Sequence, residues 1–321
     1  MRRSVWTMRT PIQRVAVIGA GTIGTGWASF FVSKGVPVNL FDSAPGVAQA
    51  AVAKVVATLR FLVDRGLLDA EQASAGAGQV SVCEDLEHAV DGADLVQEAV
   101  YESYEVKKSV FAAIDALVPP DVLLASSSSG LLKTEIQKAV RRHPGRCLIA
   151  HPINPVYLVP LVEIVPGEQT DPTFVKSARG FYEGLGKVPV TLNREVPGYL
   201  ENRMTAALWR EAIDLVHQGV ASVEDVDRAI WAGPGLRYAL MGPLMIYHLG
   251  GGEGGVRQFA ERLGPAFTMW WADMQTWTEI PPGAVEKLEA GLREAMVGRT
   301  IAELAAWRDE RLVELLKVLR R

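Results

Sequence analysis

Short runs of consecutive apolar residues recur through the first part of the chain. They begin at residues 15–18 and return at residues 38–41, 80–82, 95–99, 122–125, 147–149, 162–165 and 188–192. Most of the stretches between them carry the periodicity of amphipathic helices. Because parallel strands need such helical crossovers, the pattern predicts an α/β fold with a doubly wound sheet.

The pattern changes near residue 195. Beyond Pro197, apolar residues follow long amphipathic helical patterns at residues 199–217, 223–232 and 301–319, with almost no strand signal. A dense glycine segment at residues 250–255 is expected to separate two helices. We therefore predict an α/β domain over residues 1–194 and an all-helical domain over residues 195–321.

A glycine-rich turn follows the first predicted strand. Gly19, Gly21 and Gly24 stand where a tight turn, close approach of backbone to a pyrophosphate and close helix packing each require a missing side chain. The helix that begins there points its N-terminus at the phosphates. Asp42 ends the second predicted strand, where a carboxylate can accept hydrogen bonds from ribose hydroxyls. The first domain is therefore predicted to be a Rossmann-type dinucleotide-binding unit.

The residues after Asp42 bear on which dinucleotide binds. Ser43, Ala44 and Pro45 supply none of the positive charge that a 2′-phosphate would need, which favours NAD over NADP. A glycine turn without a ligand is the alternative. The predicted NAD contacts in this region are Gly19, Gly21, Thr22, Ile23, Gly24 and Asp42.

Composition and charge narrow the partners. The 321 residues are 49% apolar and carry a net charge of −4, which indicates neither nucleic acid nor an anionic membrane as a partner. Only Cys83 and Cys147 are present, too few for a disulfide framework or a metal cluster, so we expect no metal and a reducing cytoplasm. Arg2, Arg3 and Arg9 precede no apolar stretch typical of a secretory signal, and we expect no membrane-spanning segment.

One of the five histidines stands apart from the others. His88, His143, His217 and His248 lie in helical or polar surroundings, where solvated histidines are common. His151 follows a buried-strand run, at the carboxyl end where open α/β sheets bind ligands. Glu163 follows after an intervening turn and could return beside it, orienting a general base. A purely structural ion pair is the alternative.

These residues carry a family resemblance. From Val15 to about residue 264 the chain resembles the 3-hydroxyacyl-CoA dehydrogenase superfamily. The serine-rich segment at residues 126–131 is similar to the family's strand end, and Ser129 matches the serine that binds the substrate oxygen. His151 and Glu163 match the catalytic base and its partner. The resemblance implies a secondary alcohol that loses a hydride to NAD while His151 takes the hydroxyl proton.

Two further matches extend the resemblance. The segment at residues 197–203 is similar to the one that opens the family's helical domain, and Asn202 matches the amide that completes the site. Without the resemblance, packing or helix capping would explain Ser129 and Asn202. Glu98 matches a glutamate near the nicotinamide and is predicted as a cofactor contact. The resemblance also implies a homodimer joined through the helical domain.

Within the superfamily, two segments beside His151 resemble the branch that acts on small free hydroxy acids. These are residues 152–155 and 160–163, and the acyl-CoA branch typically carries bulky aromatic residues directly after the histidine. Residues 233–243 and 250–255 resemble the carnitine-type members more than the gulonate-type members. The resemblance therefore implies NAD-dependent oxidation of the 3-hydroxyl of a small β-hydroxy acid, L-carnitine first, with L-gulonate or a 3-hydroxyacyl-CoA as alternatives. A crystallin-like or sensor protein that binds NAD without turnover is the non-enzymatic alternative.

The aromatic residues of the helical domain agree with a quaternary ammonium substrate. Such a group donates no hydrogen bonds and is best held by aromatic faces and a nearby carboxylate. Candidate cage residues are Trp231, Trp270, Trp271, Trp277, Tyr238 and Tyr247. A helical core or a dimer interface would explain the same residues, and Arg237 could pair with a substrate carboxylate or with a surface acid. The predicted substrate contacts are Ser128, Arg237, Tyr238, Trp270 and Trp271.

Overall fold

A computed structural model describes residues 11–319 of the chain. Arg2, Arg3 and Arg9, considered above for a secretory signal, lie outside the described residues. The chain divides into two compact units, the first ending at Arg203 and the second beginning at Met204. The first unit extends past the predicted end at residue 194 because the segment up to Arg203 is hydrogen-bonded to it, as described below.

The first unit is built on one eight-stranded sheet. Its strands are β1 (Val15–Ile18), β2 (Val38–Phe41), β3 (Val80–Val82), β4 (Leu95–Glu98), β5 (Leu123–Ser126), β6 (Cys147–Pro152), β7 (Leu161–Pro166) and β8 (Val188–Thr191). They lie in the order β3-β2-β1-β4-β5-β6-β7-β8. Every neighbouring pair is parallel except β6 and β7, which are antiparallel. This is the predicted Rossmann-type sheet, with an antiparallel turn inserted after β6.

Both faces of the sheet are buried. Val15 and Val17 of β1 contribute to one apolar cluster, whereas Ala16 and Ile18 contribute to a second. Alternate side chains of a strand point to opposite faces, so the two clusters cover the two sides of the sheet. This double burial explains why the strands appear in the sequence as uninterrupted apolar runs.

Helices connect most of the strands along the chain and pack against the sheet. They are α1 (Thr22–Ser33), α2 (Val47–Asp64), α3 (Ala70–Ala77), α4 (Leu86–Val90), α5 (Tyr104–Leu117), α6 (Lys133–Gln137) and α7 (Pro172–Gly184), with a 3₁₀ turn at Pro144–Arg146. α1 begins directly at the glycine turn, with Gly21 as its N-cap. The carboxyl end of β1 therefore meets a helix N-terminus, as a phosphate-binding turn requires.

Within the described residues 204–319, the second unit contains helices joined by loops and no strand. α8 (Glu201–His217) crosses the division, and α9 (Val223–Trp231), α10 (Pro234–Tyr238), α11 (Pro243–Gly250), α12 (Gly255–Asp273), α13 (Ala284–Ala295) and α14 (Ile301–Leu319) follow. The glycine segment lies between α11 and α12 and contains a 3₁₀ turn at Gly252–Gly254. Within residues 11–319 no helix is long and apolar enough to cross a membrane, and no cluster of three potential metal ligands occurs.

Candidate active site

The glycine turn after β1 uses its three glycines in different ways. Gly19 has φ +98°, and a Cβ there would lie 2.5 Å from the carbonyl oxygen of Ala99. A Cβ on Gly24 would lie 1.7 Å from the carbonyl oxygen of Gly19. In contrast, a Cβ on Gly21 would meet nothing within 4 Å. Gly19 and Gly24 are therefore required for the turn itself, whereas Gly21 leaves bare backbone facing open space.

That open space is a cleft of about 500 Å³ at the carboxyl ends of β1, β2 and β4. Its walls include Gly19, Gly21, Thr22, Ile23, Asp42, Tyr101 and several apolar side chains from α4 and α5. The Oδ2 of Asp42 accepts a hydrogen bond from the amide of Ala20 at 2.7 Å, and its Oδ1 accepts one from Ala44 at 2.9 Å. The carboxylate is thus fixed at the cleft wall beside the turn. Bare backbone, a helix N-terminus and a fixed carboxylate suit a dinucleotide.

His151 and Glu163 lie directly opposite each other on the antiparallel strands β6 and β7. The Nδ1 of His151 is 2.8 Å from Oε2 of Glu163, and both side chains are buried. The Nε2 of His151 has no hydrogen-bond partner among residues 11–319. A carboxylate at Nδ1 favours the tautomer that carries its proton there, which leaves the Nε2 lone pair available to accept a proton.

The second oxygen of Glu163 ties this pair to the segment that precedes α8. Oε1 accepts hydrogen bonds from the amides of Leu200 at 2.9 Å and Glu201 at 3.1 Å. Burial acts to raise the pKa of Glu163, but the hydrogen bonds from His151 and the two amides outweigh it and hold the pKa below its ordinary value. The carboxylate therefore stays ionised at neutral pH, where it can stabilise a protonated imidazole.

Tyr199 contacts both His151 and the loop that follows β5. Its ring packs edge-on against the His151 ring with centroids 5.6 Å apart, and its hydroxyl donates to the carbonyl of Leu131 at 2.6 Å. The residue has φ +53°, an uncommon conformation for a tyrosine. Sequence reasoning missed Tyr199 as a site residue, because its backbone conformation and contacts leave no signature in the apolar pattern.

Ser129 and Asn202 are also brought together. The Nδ2 of Asn202 donates to the backbone carbonyl of Ser129 at 2.5 Å, and the amide of Ser129 donates to Oε1 of Glu102 at 2.8 Å. Ser129 is exposed, and its hydroxyl has no hydrogen-bond partner within the described part of the chain. The backbone of this serine is thus held at both ends while its hydroxyl remains available to a ligand.

Two of the predicted contact residues, Ser128 and Glu98, lie in buried positions. Ser128 is fully buried and its hydroxyl donates to Oε1 of Glu102 at 2.5 Å, and its contact with a substrate stays a prediction. Glu98 is also fully buried, and its two oxygens accept hydrogen bonds from Lys107, Ser126 and the amide of Val100. It is not among the residues that line the cleft, and its contact with a cofactor stays a prediction.

Glu102 and Lys107 are the charged residues that sequence reasoning overlooked. Lys107 is buried, and its Nζ lies 2.7 Å from Oε1 of Glu98 and 3.2 Å from Oε2 of Glu102. The available signal was the position of Glu102 shortly after β4 and of Lys107 in the first turns of α5, because polar residues that follow a parallel strand lie at the edge of the sheet where ligands bind.

The predicted substrate residues of the second unit lie largely in solvent. Tyr238, Trp270 and Trp271 are exposed. Trp271 lines an apolar pocket of about 560 Å³ together with Tyr247, Phe259, Phe267 and other side chains of α11 and α12. Trp270 packs edge-on against Phe267 with ring centroids 4.8 Å apart. Arg237 lies in the last turn of the short helix α10. The substrate contacts of these residues stay predictions.

Comparison with protein-family models accounts for most of the chain. Residues 14–196 match the NAD binding domain of 3-hydroxyacyl-CoA dehydrogenase, and residues 198–280 match its C-terminal domain. The chain belongs to the 3-hydroxyacyl-CoA dehydrogenase family. As a member of that family it is an NAD-dependent oxidoreductase that acts on a small molecule.

Curated relatives of this family member extend over nearly its whole length. An L-carnitine dehydrogenase of Streptomyces coelicolor is 40% identical over 306 residues, which cover 95% of this chain and 94% of that protein. An L-carnitine dehydrogenase of Pseudomonas aeruginosa is 39% identical over 97% of this chain and 95% of that protein. One from Oceanobacillus iheyensis is 38% identical over 96% and 98%.

Solved structures of similar dehydrogenases share the fold. A 5-formyl-3-hydroxy-2-methylpyridine 4-carboxylic acid 5-dehydrogenase, described as an NAD⁺-dependent dismutase, superposes with a TM-score of 0.81 and 32% identity, covering 96% of this chain and 98% of that one. FadB2 of M. tuberculosis superposes with a TM-score of 0.69 and 31% identity over 87% and 94%. The family assignment thus rests on both sequence and fold.

Proposed function

We propose that this dehydrogenase oxidises the 3-hydroxyl of L-carnitine to a ketone, with NAD as hydride acceptor and His151 as general base. The observation that carries the chemistry is the buried His151–Glu163 pair with an unpartnered Nε2. The substrate is supported by the three bacterial L-carnitine dehydrogenases, each 38–40% identical over nearly the whole chain.

The proton step belongs to His151. Its Nε2 takes the proton of the substrate hydroxyl, and the imidazole becomes positively charged. Glu163 lies 2.8 Å from Nδ1 and remains ionised, so it both fixes the ring orientation and stabilises the charge that develops on it. Tyr199 limits rotation of the ring by its edge-on contact.

The oxygen that loses this proton is held by Ser129 and Asn202. The Ser129 hydroxyl donates a hydrogen bond to it, and the hydrogen bond between the Asn202 amide and the Ser129 carbonyl keeps that serine in place. Bound NAD supplies the hydride acceptor. The residues proposed to hold it are the bare backbone at Gly19 and Gly21, the start of α1 at Thr22 and Ile23, and Asp42.

Recognition of the trimethylammonium group is assigned to aromatic side chains of the helical unit. Tyr238, Trp270 and Trp271 offer exposed ring faces, which attract a cation that cannot donate hydrogen bonds. Arg237 is proposed to pair with the substrate carboxylate. We further propose a homodimer joined through this unit, because its apolar side chains are extensively exposed, and a cytoplasmic location, since Cys83 and Cys147 are free thiols.

Steady-state kinetics with matched substrates test the assignment. L-carnitine, L-gulonate and a 3-hydroxybutyryl-CoA would each be assayed with NAD and with NADP, and the rate would be followed by the absorbance of the reduced cofactor. We expect the largest kcat/KM with L-carnitine and NAD. Brisk turnover of L-gulonate or the thioester without turnover of L-carnitine would replace the substrate while keeping the dehydrogenase assignment.

A non-catalytic role has its own signature in the same experiment. An NAD-binding protein without chemistry would bind NAD in a calorimetric titration yet oxidise none of the three substrates. The intact His151, Glu163, Ser129 and Asn202 argue against that outcome.

A further inference from the structure

A chain of three charged side chains runs beneath the serine-rich end of β5. Glu98 and Lys107 are buried at 1% side-chain exposure each, and Lys107 Nζ lies 2.7 Å from Oε1 of Glu98. The same Nζ lies 3.2 Å from Oε2 of Glu102, whose side chain is 40% exposed. The ammonium therefore sits between two carboxylates, one deep in the sheet and one at its edge.

The outer end of this chain holds the loop that presents Ser129. Oε1 of Glu102 accepts hydrogen bonds from the amide of Ser129 at 2.8 Å and from the hydroxyl of Ser128 at 2.5 Å. Burial acts to raise the pKa of Glu102, but Ser128, Lys107 and the Ser129 amide together hold it below its ordinary value. An ionised Glu102 thus fixes the position of the backbone on which the Ser129 hydroxyl is mounted.

Both carboxylate oxygens of Glu98, the innermost of the three charged side chains, have hydrogen-bond partners. Oε1 of Glu98 accepts hydrogen bonds from Lys107 and from the amide of Val100, each at 2.7 Å, and Oε2 accepts one from the hydroxyl of Ser126 at 2.5 Å. The Ser126 oxygen in turn accepts a hydrogen bond from the amide of Ser128 at 3.2 Å. Glu98 therefore reaches the loop twice, through Lys107 and Glu102 and through Ser126.

We propose that Glu98 is a positioning residue for the oxidation, acting through Lys107, Glu102 and Ser126 to hold the Ser129 hydroxyl where the substrate oxygen binds. The proposal rests on the role assigned to Ser129 above. A buried ammonium needs a buried carboxylate, and without Glu98 the ammonium has only the half-exposed Glu102 to neutralise it. Glu102 then turns inward and releases the Ser129 amide, and a misplaced hydroxyl no longer meets the substrate oxygen.

The test compares two buried carboxylates, that of Glu98 at the end of β4 and that of Asp115 in α5. Glu98→Gln keeps the shape of the side chain and removes its charge. The matched control is Asp115→Asn, which removes the charge from a second buried ion pair, because Oδ1 of Asp115 lies 2.7 Å from a guanidinium nitrogen of Arg146 with both groups buried. Asp115 lies near the carboxyl-terminal end of α5 and makes no contact with the loop that carries Ser129.

Two readouts are measured on each variant below its melting temperature. We expect Glu98→Gln to lower kcat by roughly 10- to 100-fold, the effect of a small misplacement of a catalytic group. We also expect faster amide hydrogen exchange over residues 128–131. Asp115→Asn should lose thermal stability while keeping kcat and exchange in that loop within about twofold of the native enzyme. Equal kcat in both variants, with loop exchange unchanged, overturns the proposal and leaves Glu98 a structural residue.

A second variant tests the proposal if Glu98→Gln does not fold. Glu98→Leu combined with Lys107→Met removes both buried charges together, which is tolerated far better than leaving one unpaired. We expect this double variant to fold and to retain a low kcat and a fast-exchanging loop, because Glu102 has lost its inner partner. Native kcat in the folded double variant would contradict the proposal.

Failure of the proposed function would look different. The exchange measurement needs no substrate, so it reports on the loop even if L-carnitine proves not to be the substrate. If Ser129→Ala leaves kcat unchanged while Glu98→Gln loosens the loop, the role of Ser129 is wrong and the connection from Glu98 to the loop stands.

Discussion

The two units of this protein treat their side chains in opposite ways. In the first unit, large apolar side chains such as Trp27 and Phe31 have no exposed surface, and buried polar side chains are bonded to one another beneath the strand ends. In the second unit, Leu244 is 85% exposed and Trp271 is 64% exposed. The buried apolar side chains described there are Ile213, Val223, Val226, Ile246, Ala284 and Val313.

This difference separates two tasks. Buried charged and polar groups cost free energy unless they are fully paired, and in this unit they are concentrated near the carboxyl ends of β4, β5 and β6 and in the first half of β7. Extensive exposed apolar surface is what a protein interface or an apolar ligand covers. We therefore propose that the first unit carries the proton transfer and that exposed side chains of the second unit contact the substrate and a second copy of the chain.

The largest predicted effect tests where the chemistry lies. His151→Ala should lower kcat by about 10²- to 10⁴-fold, because it removes the proton acceptor, while the Kd for NAD changes little. The variant would be assayed by steady-state kinetics and by calorimetric titration with NAD. The matched control is His248→Ala in the second unit, an exposed histidine whose Nδ1 accepts a hydrogen bond from the amide of Val256.

We expect the His248 variant to keep kcat within about threefold of the native value, as surface substitutions usually have small effects. A comparable loss in both variants would break the comparison, since it would place chemistry in both units. Near-native kcat in His151→Ala alone would remove that residue from the role of base.

The next effect concerns the apolar surface of the second unit. Leu244→Asp should weaken self-association by roughly 30-fold, the cost of losing one well-packed interface residue. Because Leu244 is mostly exposed, the substitution should leave the fold of the unit itself intact. Sedimentation velocity over a range of concentrations measures the change. Leu117→Asp, at an exposed apolar position in the first unit, is the control and should leave the association unchanged.

The sheet was predictable from the sequence because burial on both faces leaves little room for ambiguity. The β1, β2 and β3 runs were predicted at their observed bounds, and the other strands within a few residues. The glycine turn was predictable for a similar reason, since Gly19 and Gly24 admit no side chain. The pairing of Glu163 with His151 could be anticipated, because a turn between two strands returns the chain beside itself.

Which polar side chains face a ligand was not predictable in the same way. Ser128 and Ser129 are neighbours in a run of four serines, yet one is buried against Glu102 and the other is exposed. The difference depends on Glu102 and Lys107, which follow β4, the strand next to β5 in the sheet. Periodicity within one segment carries no information about such long-range partners, so the burial of Glu98 and Ser128 was not predicted.

A smaller effect is expected at the cofactor end of the first unit. Asp42→Ala should weaken NAD binding by roughly tenfold and narrow the preference over NADP, because it removes a charged acceptor for the ribose hydroxyls. It also removes the acceptor for the Ala20 amide. Calorimetric titration with each dinucleotide would measure the change. Asp91→Ala, away from the cleft, is the control, and an unchanged Kd in Asp42→Ala would show that this carboxylate does not reach the ribose.

The smallest predicted effect concerns a buried lysine of the first unit, compared with an exposed lysine of the second. Lys187 is buried in the first unit, where its Nζ donates to the carbonyls of Val156 at 2.5 Å and Val159 at 2.8 Å. Burial, with a smaller contribution from Lys34, lowers the pKa of Lys187 to about 7. Between pH 7 and the ordinary lysine pKa, the unfolded chain keeps a proton that the folded chain has lost. The free energy of unfolding contributed by this residue therefore rises with pH across that range.

Denaturant titrations at pH 7 and pH 9 measure this contribution, which should be on the order of 1 kcal/mol. Lys187→Met should remove that part of the rise. Lys287→Met, at an exposed lysine of the second unit, should keep the native slope. An identical slope in the native protein and in Lys187→Met would mean that this amine keeps its proton despite burial. The first unit would then tolerate a buried charge held by two carbonyl oxygens and the rings of Trp27 and Phe30, with no carboxylate partner among the contacts described for it.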